Sequence, residues 1–600
     1  MGKGYPMFER NGRLLLKRFS NYFFPTILMS MALSMSIVVD GIIVGNMLSP
    51  EAFAAVNLGL PLMQGFAAVF VFFGIGGSVL AAWYMGRHEA SAANTVFTVS
   101  VLGLLAAGAV CGVLGAVFLD KLTSLLSGDN PALQALLYRF IQPLVYGAPF
   151  LIVVPGLTYF VRTDGRPGLA SAILITANLV NLACDVLFIH LLDDVRGAGL
   201  ATVTGYAAGV GLLLAYAVSP HRTFRFALSR GALLPLVLQT LKSGLPSGLN
   251  IGLQFLKLLC LNALVLSVAG KSGMVAFSVC LACLSLASMF ISGASQTMMP
   301  IIGVLCGEED YAGIRFVFRR ALTILMGSTA ILVCGLLLFP QQLLALFGIS
   351  GGQDMEMGTR AVRLFAPSLF GDAFAMLMIY YAQTIQRPKV AITATVIQSF
   401  AVVAPCAWLL SRWWGLDGIW LSFSVAGLAT ALALLLMTRG IAARSGGQVR
   451  GLLMMPQNGH KAALLDVSIK NTLHEAVGLS AAVAAFCGEH GVHEITAMRA
   501  GVIVEEMAVN TVRYSGNPPG ASSLDITVSV SQDSIRITFR DEGKPFSPLD
   551  YQISPQAQTQ QHTGHIQGGI NLIRAMAAHM EYSYALGFNT SVIVLPDARN

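Results

Sequence analysis

Charge is scarce in this chain: 11% of its 600 residues are Asp, Glu, Lys or Arg, whereas an ordinary soluble domain carries roughly 25%. With 55% hydrophobic residues, water cannot be its only solvent. The chain also lacks a G-x-x-x-x-G-K-[ST] segment, which excludes a P-loop as a route from ATP to transport work. Its nine cysteines form no metal-ligand pattern, and the one C-x-x-C, Cys280 to Cys283, falls inside an apolar run without a partner pair. They read as reduced core residues. Basic residues are not clustered with aromatics, so the net charge of +7 does not point to nucleic acid. No cleavable signal peptide is expected, because the basic residues 1–18 lead directly into a long apolar segment that reads as the first span.

Charge is also unevenly placed. Residues 1–460 hold 28 Lys/Arg against 17 Asp/Glu, and residues 461–600 hold 9 against 13, so two parts with different solvents are expected. A spanning helix needs about 20 mostly apolar residues. Twelve candidates lie near 20–45, 53–83, 95–118, 134–161, 168–191, 198–218, 243–268, 273–303, 317–339, 361–386, 391–411 and 418–438. With the N-terminus inside, about 20 Lys/Arg fall on the cytosolic side and about 7 outside, as cytosolic loops require, which places both termini in the cytosol at the cell membrane.

The chain repeats itself. "YFVRTDGRPGLA" at 159–170 and "YYAQTIQRPKVA" at 380–391 share Tyr, Thr, Arg, Pro and Ala 221 residues apart, and Pro25 and Pro246 keep the same offset. Gly76 and Gly86, and Gly293 and Gly303, keep a ten-residue spacing in each half. Two homologous halves of six spans follow, inserted in the same orientation. The expected organisation is an N-terminal segment 1–19, a six-helix lobe 20–218, an inter-lobe loop 219–240, a second lobe 241–440, a linker 441–460 and a domain 461–600.

The segments "PTILMSMALSMSIVVDGIIVG", "FVRTDGRPGLA", "NLVNLACDVLFI" with "GAGLAT", and "TIQRPKVA", in that order, resemble the multidrug and toxic compound extrusion (MATE) family over roughly residues 15–440. The resemblance implies two six-helix lobes around a central cavity and export of organic, often cationic, small molecules across the bilayer, driven by entry of Na⁺ or H⁺. Asp40 resembles the first-helix acid on which that family centres ion coupling.

A charge at mid-membrane costs on the order of 2.5–3.5 kcal/mol, so each one asks for a partner or a task. Asn178, Asn181 and Asp185 stand at i, i+3 and i+7 and share one helix face. With Asp40 they are expected to form a carboxyl pair that shares one proton; the plainer alternative is a polar clamp between helices. In the second half Gln254 and Lys257 share a face and Asp372 supplies an acid, while Gln64, Gln383 and Gln398 are candidate cavity liners or packing residues. A buried Lys257 fits poorly with a strictly cationic substrate and leaves open a lipid-linked precursor flippase.

Beyond "RGIAARSGGQVRGLLMMPQNGH" the pattern changes. Residues 464–487 and 494–515 carry helical periodicity, whereas "LDITVSVSQ", "SIRITFRD" and "TSVIVL" alternate like half-buried strands. "EEMAVNTVRYS", "DEGKPF" and "GHIQGGINLIRAM" resemble, in this order, the N-box and two glycine boxes of the GHKL ATP-binding superfamily, most of all its anti-sigma-factor kinase branch. The fold class is therefore a polytopic all-α membrane protein, with twelve transmembrane helices in two parallel six-helix repeats, plus a cytosolic α+β sandwich that binds ATP.

That resemblance assigns roles which the residue chemistry suits. Asn510 would offer an amide oxygen to Mg²⁺. Glu506, one turn earlier, would orient or deprotonate a hydroxyl or water. Asp541 would accept the adenine amino group and Gly543 would let the backbone approach the base. Gly568 and Gly569, just before a helix, would present N–H groups to phosphate, under a lid at 547–567. Asn571 and Arg513-Tyr514 depart from the commoner pattern, so serine/threonine kinase or ATPase activity stays open. "TLHEAV" around His474 lacks the helix pair of a phosphoacceptor module. Two readings stand beside the flippase: an ion-coupled exporter regulated by its ATP domain, and a membrane-tethered kinase acting on a cytosolic antagonist or regulatory protein.

Overall fold

The computed structural model describes residues 10, 12–128, 130–220, 222–228, 233–347, 349, 351–446, 448–456, 463–549 and 561–596. The first half of the membrane part comprises α1 (Arg13–Met47), α2 (Pro50–Gly86), α3 (Ala90–Val117), α4 (Leu119–Ser127), α5 (Pro131–Tyr146), α6 (Ala148–Thr163), α7 (Pro167–Leu192) and α8 (Arg196–Val218). The second comprises α9 (Leu233–Gly307), α10 (Tyr311–Leu338), α11 (Pro340–Leu346), α12 (Gly352–Phe365), α13 (Ser368–Thr384), α14 (Pro388–Val396), a π-helical turn at Ile397–Ala401, α15 (Val403–Trp414) and α16 (Leu416–Arg444).

Among the described residues nine helices are long and apolar enough to cross a membrane, and two bent pairs raise this to eleven. α1, some of whose side chains lie outside the described residues, is 35 residues long, more than the about 20 a span needs. The bent pairs, α5 with α6 at 56° and α12 with α13 at 40°, answer to the expected spans 134–161 and 361–386. Pro149 and Pro367 stand at the two breaks, where a residue without an N–H cannot continue the ladder. α9 contains two spans, 233–270 and 273–307, joined at Gly270, whose φ of 57° favours glycine.

The halves meet along α2 and the second part of α9. Gly86 and Gly307 pack backbone to backbone: a Cβ on Gly86 would stand 3.0 Å from Gly307 Cα, and one on Gly307 would stand 2.8 Å from Gly86 Cα. These two glycines are related by the 221-residue offset, so the contact lies on the axis of the internal repeat. Gly86 thus touches Gly307 and not Gly303, which instead faces Ala82. This seam lies at the end of the bundle that carries the C-terminal domain, called here the domain side.

Between bundle and domain, Val449–Arg450 (β1) pairs with Met455–Pro456 (β2), and Tyr381 donates its hydroxyl to Leu453 O at 2.7 Å. Met454 and Met455 are buried, so this part of the linker packs onto the second half.

The domain holds β3 (Ala463–Lys470), α17 (Leu473–Val477), α18 (Leu479–Glu489), α19 (Glu494–Tyr514), β4 (Ser523–Val530), β5 (Ser534–Asp541), α20 (Gln561–Met576), β6 (His579–Ala585) and β7 (Phe588–Pro596). Its antiparallel sheet runs β3-β4-β5-β7-β6. Period-two alternation gives the sheet two unlike faces. Leu524, Ile526, Val528, Ile535, Ile537 and Phe539 enter a core with α18 and α19. Asp525, Thr527, Arg536, Thr538 and Arg540 form the opposite face, which looks toward the bundle. One expectation fails here: residues 464–470 are not helical. Val467 and Ile469 alternate with Asp466, Ser468 and Lys470, and the segment pairs with β4 along its whole length.

Candidate functional site

In the first half, α1 and α7 bring the expected polar residues together. Asp185 is fully buried and Asn181 is 3% exposed, and Asn181 Nδ2 donates to Asp185 Oδ2 at 3.0 Å. α8 approaches closely because Gly205 has no side chain; a Cβ there would stand 2.8 Å from that of Asn181. Asp40, on α1, faces Asp185 at hydrogen-bonding range, and Tyr206 of α8 lies near enough to feel the Asp40 charge. Two carboxylates are both acceptors, so a bond between them forms only when one proton or one cation sits in the gap. Asp185 Oδ1 and Asn178 Nδ2 are buried without a hydrogen-bond partner among the described residues. The cluster is therefore a polar pocket with unused valence in an apolar bundle. Tyr206 was missed by sequence reasoning; the available signal was a tyrosine among the small residues of α8.

In the second half, Asp372 accepts from Gln398 Nε2, and Gln398 Oε1 accepts from Thr430 at 2.8 Å. Lys257 is 6% exposed, interacts with Asp372 and stands 5.6 Å from the Phe423 ring centroid. Lys257 and Asp372 thus oppose each other, as expected, and Gln398 belongs to their network. Gln254 is half-buried one turn before Lys257. Gln383 receives Ser247 Oγ at 2.9 Å and donates to Ser243 O at 2.6 Å, which makes it a tie between α13 and α9 rather than a cavity liner. Gln64 is exposed on α2.

In the C-terminal domain, Asn510 Nδ2 donates to Glu506 Oε1 at 3.2 Å on one face of α19. This directs the Asn510 amide oxygen elsewhere, as a hard cation would need, and keeps Glu506 beside it. Asp541 ends β5, and its Oδ1 accepts from Gly543 N at 2.7 Å and from Asn589 Nδ2 at 3.0 Å. Burial pushes Asp541 above the usual carboxylate range, and the Asn589 and Gly543 hydrogen bonds oppose that rise. Gly543 packs on Ser515 at the end of α19, where a Cβ would stand 2.7 Å from that of Ser515. Asn510 and Glu506 in α19 and Asp541 at the end of the central strand β5 are thereby gathered on one side of the domain.

Asn589 was not foreseen. It is 5% exposed, pairs with Asp541 in the β5–β7 register, donates also to Lys544 O at 3.1 Å and receives Tyr582 at 2.7 Å. An Asn near the start of a buried strand was the available signal. The expected place of the glycine box is corrected: α20 begins at Gln561, so Gly568 and Gly569 lie within the helix rather than before it. Residues 561–567 can continue the helix because no proline interrupts them, and amide groups beyond the first turn serve the helix ladder. Gly569 instead lets α20 press on Glu506, leaving no room for a Cβ against Glu506 Oε1. The expected lid falls largely on 550–560, outside the described residues. His474 lies in α17, and Asn571 is exposed on α20.

Comparison with known proteins agrees with both halves of this picture. The MatE family model matches residues 25–187 and 246–409, once per repeat. A histidine kinase-like ATPase domain matches residues 469–593. The multidrug export protein MepA of Staphylococcus aureus is 21% identical over 404 residues, covering 66% of this chain and 87% of its own length. That of Staphylococcus saprophyticus is 22% identical over 388 residues, covering 64% and 84%. Among solved structures, a MOP superfamily transporter from Pyrococcus furiosus aligns at TM-score 0.66 with 21% identity, over 73% of this chain and 99% of that one. An outward-facing multidrug resistance MATE transporter aligns at TM-score 0.66 with 20% identity, over 74% and 99%. The chain belongs to the MatE family of multi-pass membrane transporters and carries a histidine kinase-like ATPase domain after its second repeat.

Proposed function

We propose that this protein is an ion-coupled antiporter that exports small organic molecules, and that its ATPase-like domain binds ATP with Mg²⁺ to regulate export from the cytosolic side. The observation that carries the transport reading is the Asp40–Asn178–Asn181–Asp185 cluster: two facing carboxyls with unused polar atoms in a buried bundle. An H⁺ or a Na⁺ held between Asp40 and Asp185 lowers the charge of the pair from −2 to −1 and relieves its repulsion, and release restores that repulsion, so occupancy favours one helix arrangement over another. The second half adds little net charge, because Lys257 and Asp372 offset each other. Organic cations are the expected cargo, with recognition centred on the acidic first half. Vesicle transport under imposed H⁺ and Na⁺ gradients, comparing wild type with Asp40→Asn and Asn510→Ala, tests this. Export that persists without either gradient, or in Asp40→Asn, refutes ion coupling.

A second reading, a tethered serine/threonine kinase that uses the bundle as a sensor, draws support from the Glu506–Asn510 pair. Asn510 would hold Mg²⁺, which would supply charge neutralisation at the ATP phosphates, and Glu506 is placed to take a proton from an attacking hydroxyl. Phosphate transfer to serine on a cytosolic partner, lost in Glu506→Gln with ATP still bound, would establish it.

A further inference from the structure

The polar face of the domain sheet rests on the domain side of the bundle, and its charged contacts reach both halves. From the second half, Glu308 and Asp310 in the turn before α10 meet Arg540 at the end of β5, with Arg540 Nη1 donating to Asp310 Oδ2 at 2.9 Å and Nη2 to Glu308. From the first half, Arg10, just ahead of α1, donates to both oxygens of Asp310 at 2.8 and 2.9 Å. The same guanidinium lies 3.3 Å from Asp466 and 3.4 Å from Asp525 of the sheet. The side chains of Arg10, Arg540 and Glu308 are 9%, 5% and 4% exposed, so this is a buried network whose partners are costly to remove. Burial alone would raise Asp310, but Arg10 and Arg540 hold it well below the usual carboxylate range, which keeps it ionised at neutral pH.

A second contact joins the domain to α1: Lys17 Nζ lies 2.6 Å from Glu542 Oε1, and Arg18 Nη2 donates to Gly587 O at 2.9 Å. A cavity of about 220 Å³ is bounded by Gly86 and Gly307 on one side and by Arg536, Thr538 and Glu581 of the sheet on the other. The domain therefore lies directly over the seam between the halves.

These contacts are tied to the nucleotide site by sequence adjacency. Arg540 holds the second half, Glu542 holds the first, and between them stands Asp541, the expected acceptor for adenine. Asp541 Oδ1 is already occupied by Asn589 and by Gly543 N–H. An adenine amino group would engage the same carboxylate, and any shift of the strand end displaces both neighbours.

We propose that the ATPase-like domain is a clamp that holds the two lobes closed on its own side, and that ATP at Asp541 loosens the clamp through Arg540 and Glu542. The second clause rests on the reading that residues 461–600 bind ATP; the clamp does not. The test is made on the full chain in nanodiscs, with spin labels at Gly168→Cys and Lys389→Cys and with the exposed Cys260 and Cys334 replaced. Positions 168 and 389 are related by the repeat offset; a Cβ at Gly168 meets nothing, and Lys389 is exposed. Wild type is expected to show mainly the short separation. Arg540→Glu, which sets like charges against Glu308 and Asp310, is expected to raise the ratio of long to short separation about tenfold, and adding Glu308→Arg to reverse it. MgATP is expected to raise the ratio at least about threefold in wild type, with binding followed by calorimetry on the same sample. An unchanged ratio in both Arg540→Glu and the separate surface variant Lys17→Glu overturns the clamp. A ratio unchanged or lowered when calorimetry shows ATP bound overturns the coupling. Absence of binding heat refutes the nucleotide reading itself and leaves the clamp to be judged by the variants alone.

Discussion

Replacing Gly86 by alanine should open the seam between the halves. A Cβ at 86 would stand 2.9 Å from Val304 C and 3.0 Å from Gly307 Cα, and would press harder still on Val304 O. Carbon atoms rest about 3.5–4.0 Å apart, so α2 and α9 must part by at least about 0.5 Å at this point. Both opposing groups are backbone and cannot rotate away. Overpacking of this kind costs typically about 1–3 kcal/mol. The cost falls only on the arrangement in which Gly86 and Gly307 touch, so it acts on the equilibrium between arrangements and not on folding alone. Converted to populations it is a shift of about 5- to 150-fold toward the separated form. Spin labels at positions 168 and 389 read this as growth of the longer-distance population. Gly65→Ala is the control: it makes the same change on the same helix, where a Cβ meets nothing, and should leave the distribution as it is. If Gly86→Ala and Gly65→Ala give the same distribution as wild type in folded protein, the seam is not the contact that closes this side.

Further outcomes follow from the two sites. Asp185→Asn keeps the shape and the Asn181 contact but removes the carboxyl pair, so gradient-driven export should fall at least about tenfold in vesicles while substrate binding survives. Because Asp541 lies above the usual carboxylate range, acidification protonates it sooner than an exposed Asp, and ATP affinity should decline on acidification at a higher pH than an exposed Asp would allow. Calorimetry on Asp541→Asn should show weak binding with no such slope. Asn589→Leu removes the donor that orients Asp541 and leaves buried acceptors unpaired; ATP affinity should fall about tenfold in calorimetry of the full chain.

Much of this architecture is legible in sequence because the signals are periodic. Span length, the 221-residue repeat and the alternation in β4 and β5 each report a local rule repeated many times. The Asp40–Asp185 cluster was legible because an acid in an apolar helix is costly wherever it lies. Misreadings arose where a local pattern allows two answers. Adjacent Leu464 and Leu465 suit a helix face as well as a strand, and only pairing with β4 decides between them. Gly568 and Gly569 suit a phosphate loop or a close helix contact, and here Glu506 lies against Gly569. The charged contacts between domain and bundle were not legible at all, since Arg10, Asp310 and Arg540 are separated by 300 and 230 positions and only the fold unites them.

The same arrangement limits what ATP can do here. A ligand shifts an equilibrium only by its differential affinity for the two states, and a regulatory coupling is typically about 1–3 kcal/mol. Asp541 borders the network at Arg540 but lies on a different element from Asp40 and Asp185, which belong to α1 and α7. α1 is common to both: Lys17 near its start contacts Glu542, and Asp40 near its other end faces Asp185. A displacement of α1 is therefore felt at the nucleotide edge and at the carboxyl pair. Reciprocity then requires that whatever occupies the carboxyl pair also changes ATP affinity, by the same factor as ATP changes ion affinity. Measuring wild-type ATP affinity by calorimetry with and without saturating coupling ion gives that factor directly, and Asp40→Asn should remove the difference. Equal affinities would show that α1 carries no coupling and that the domain senses the seam alone.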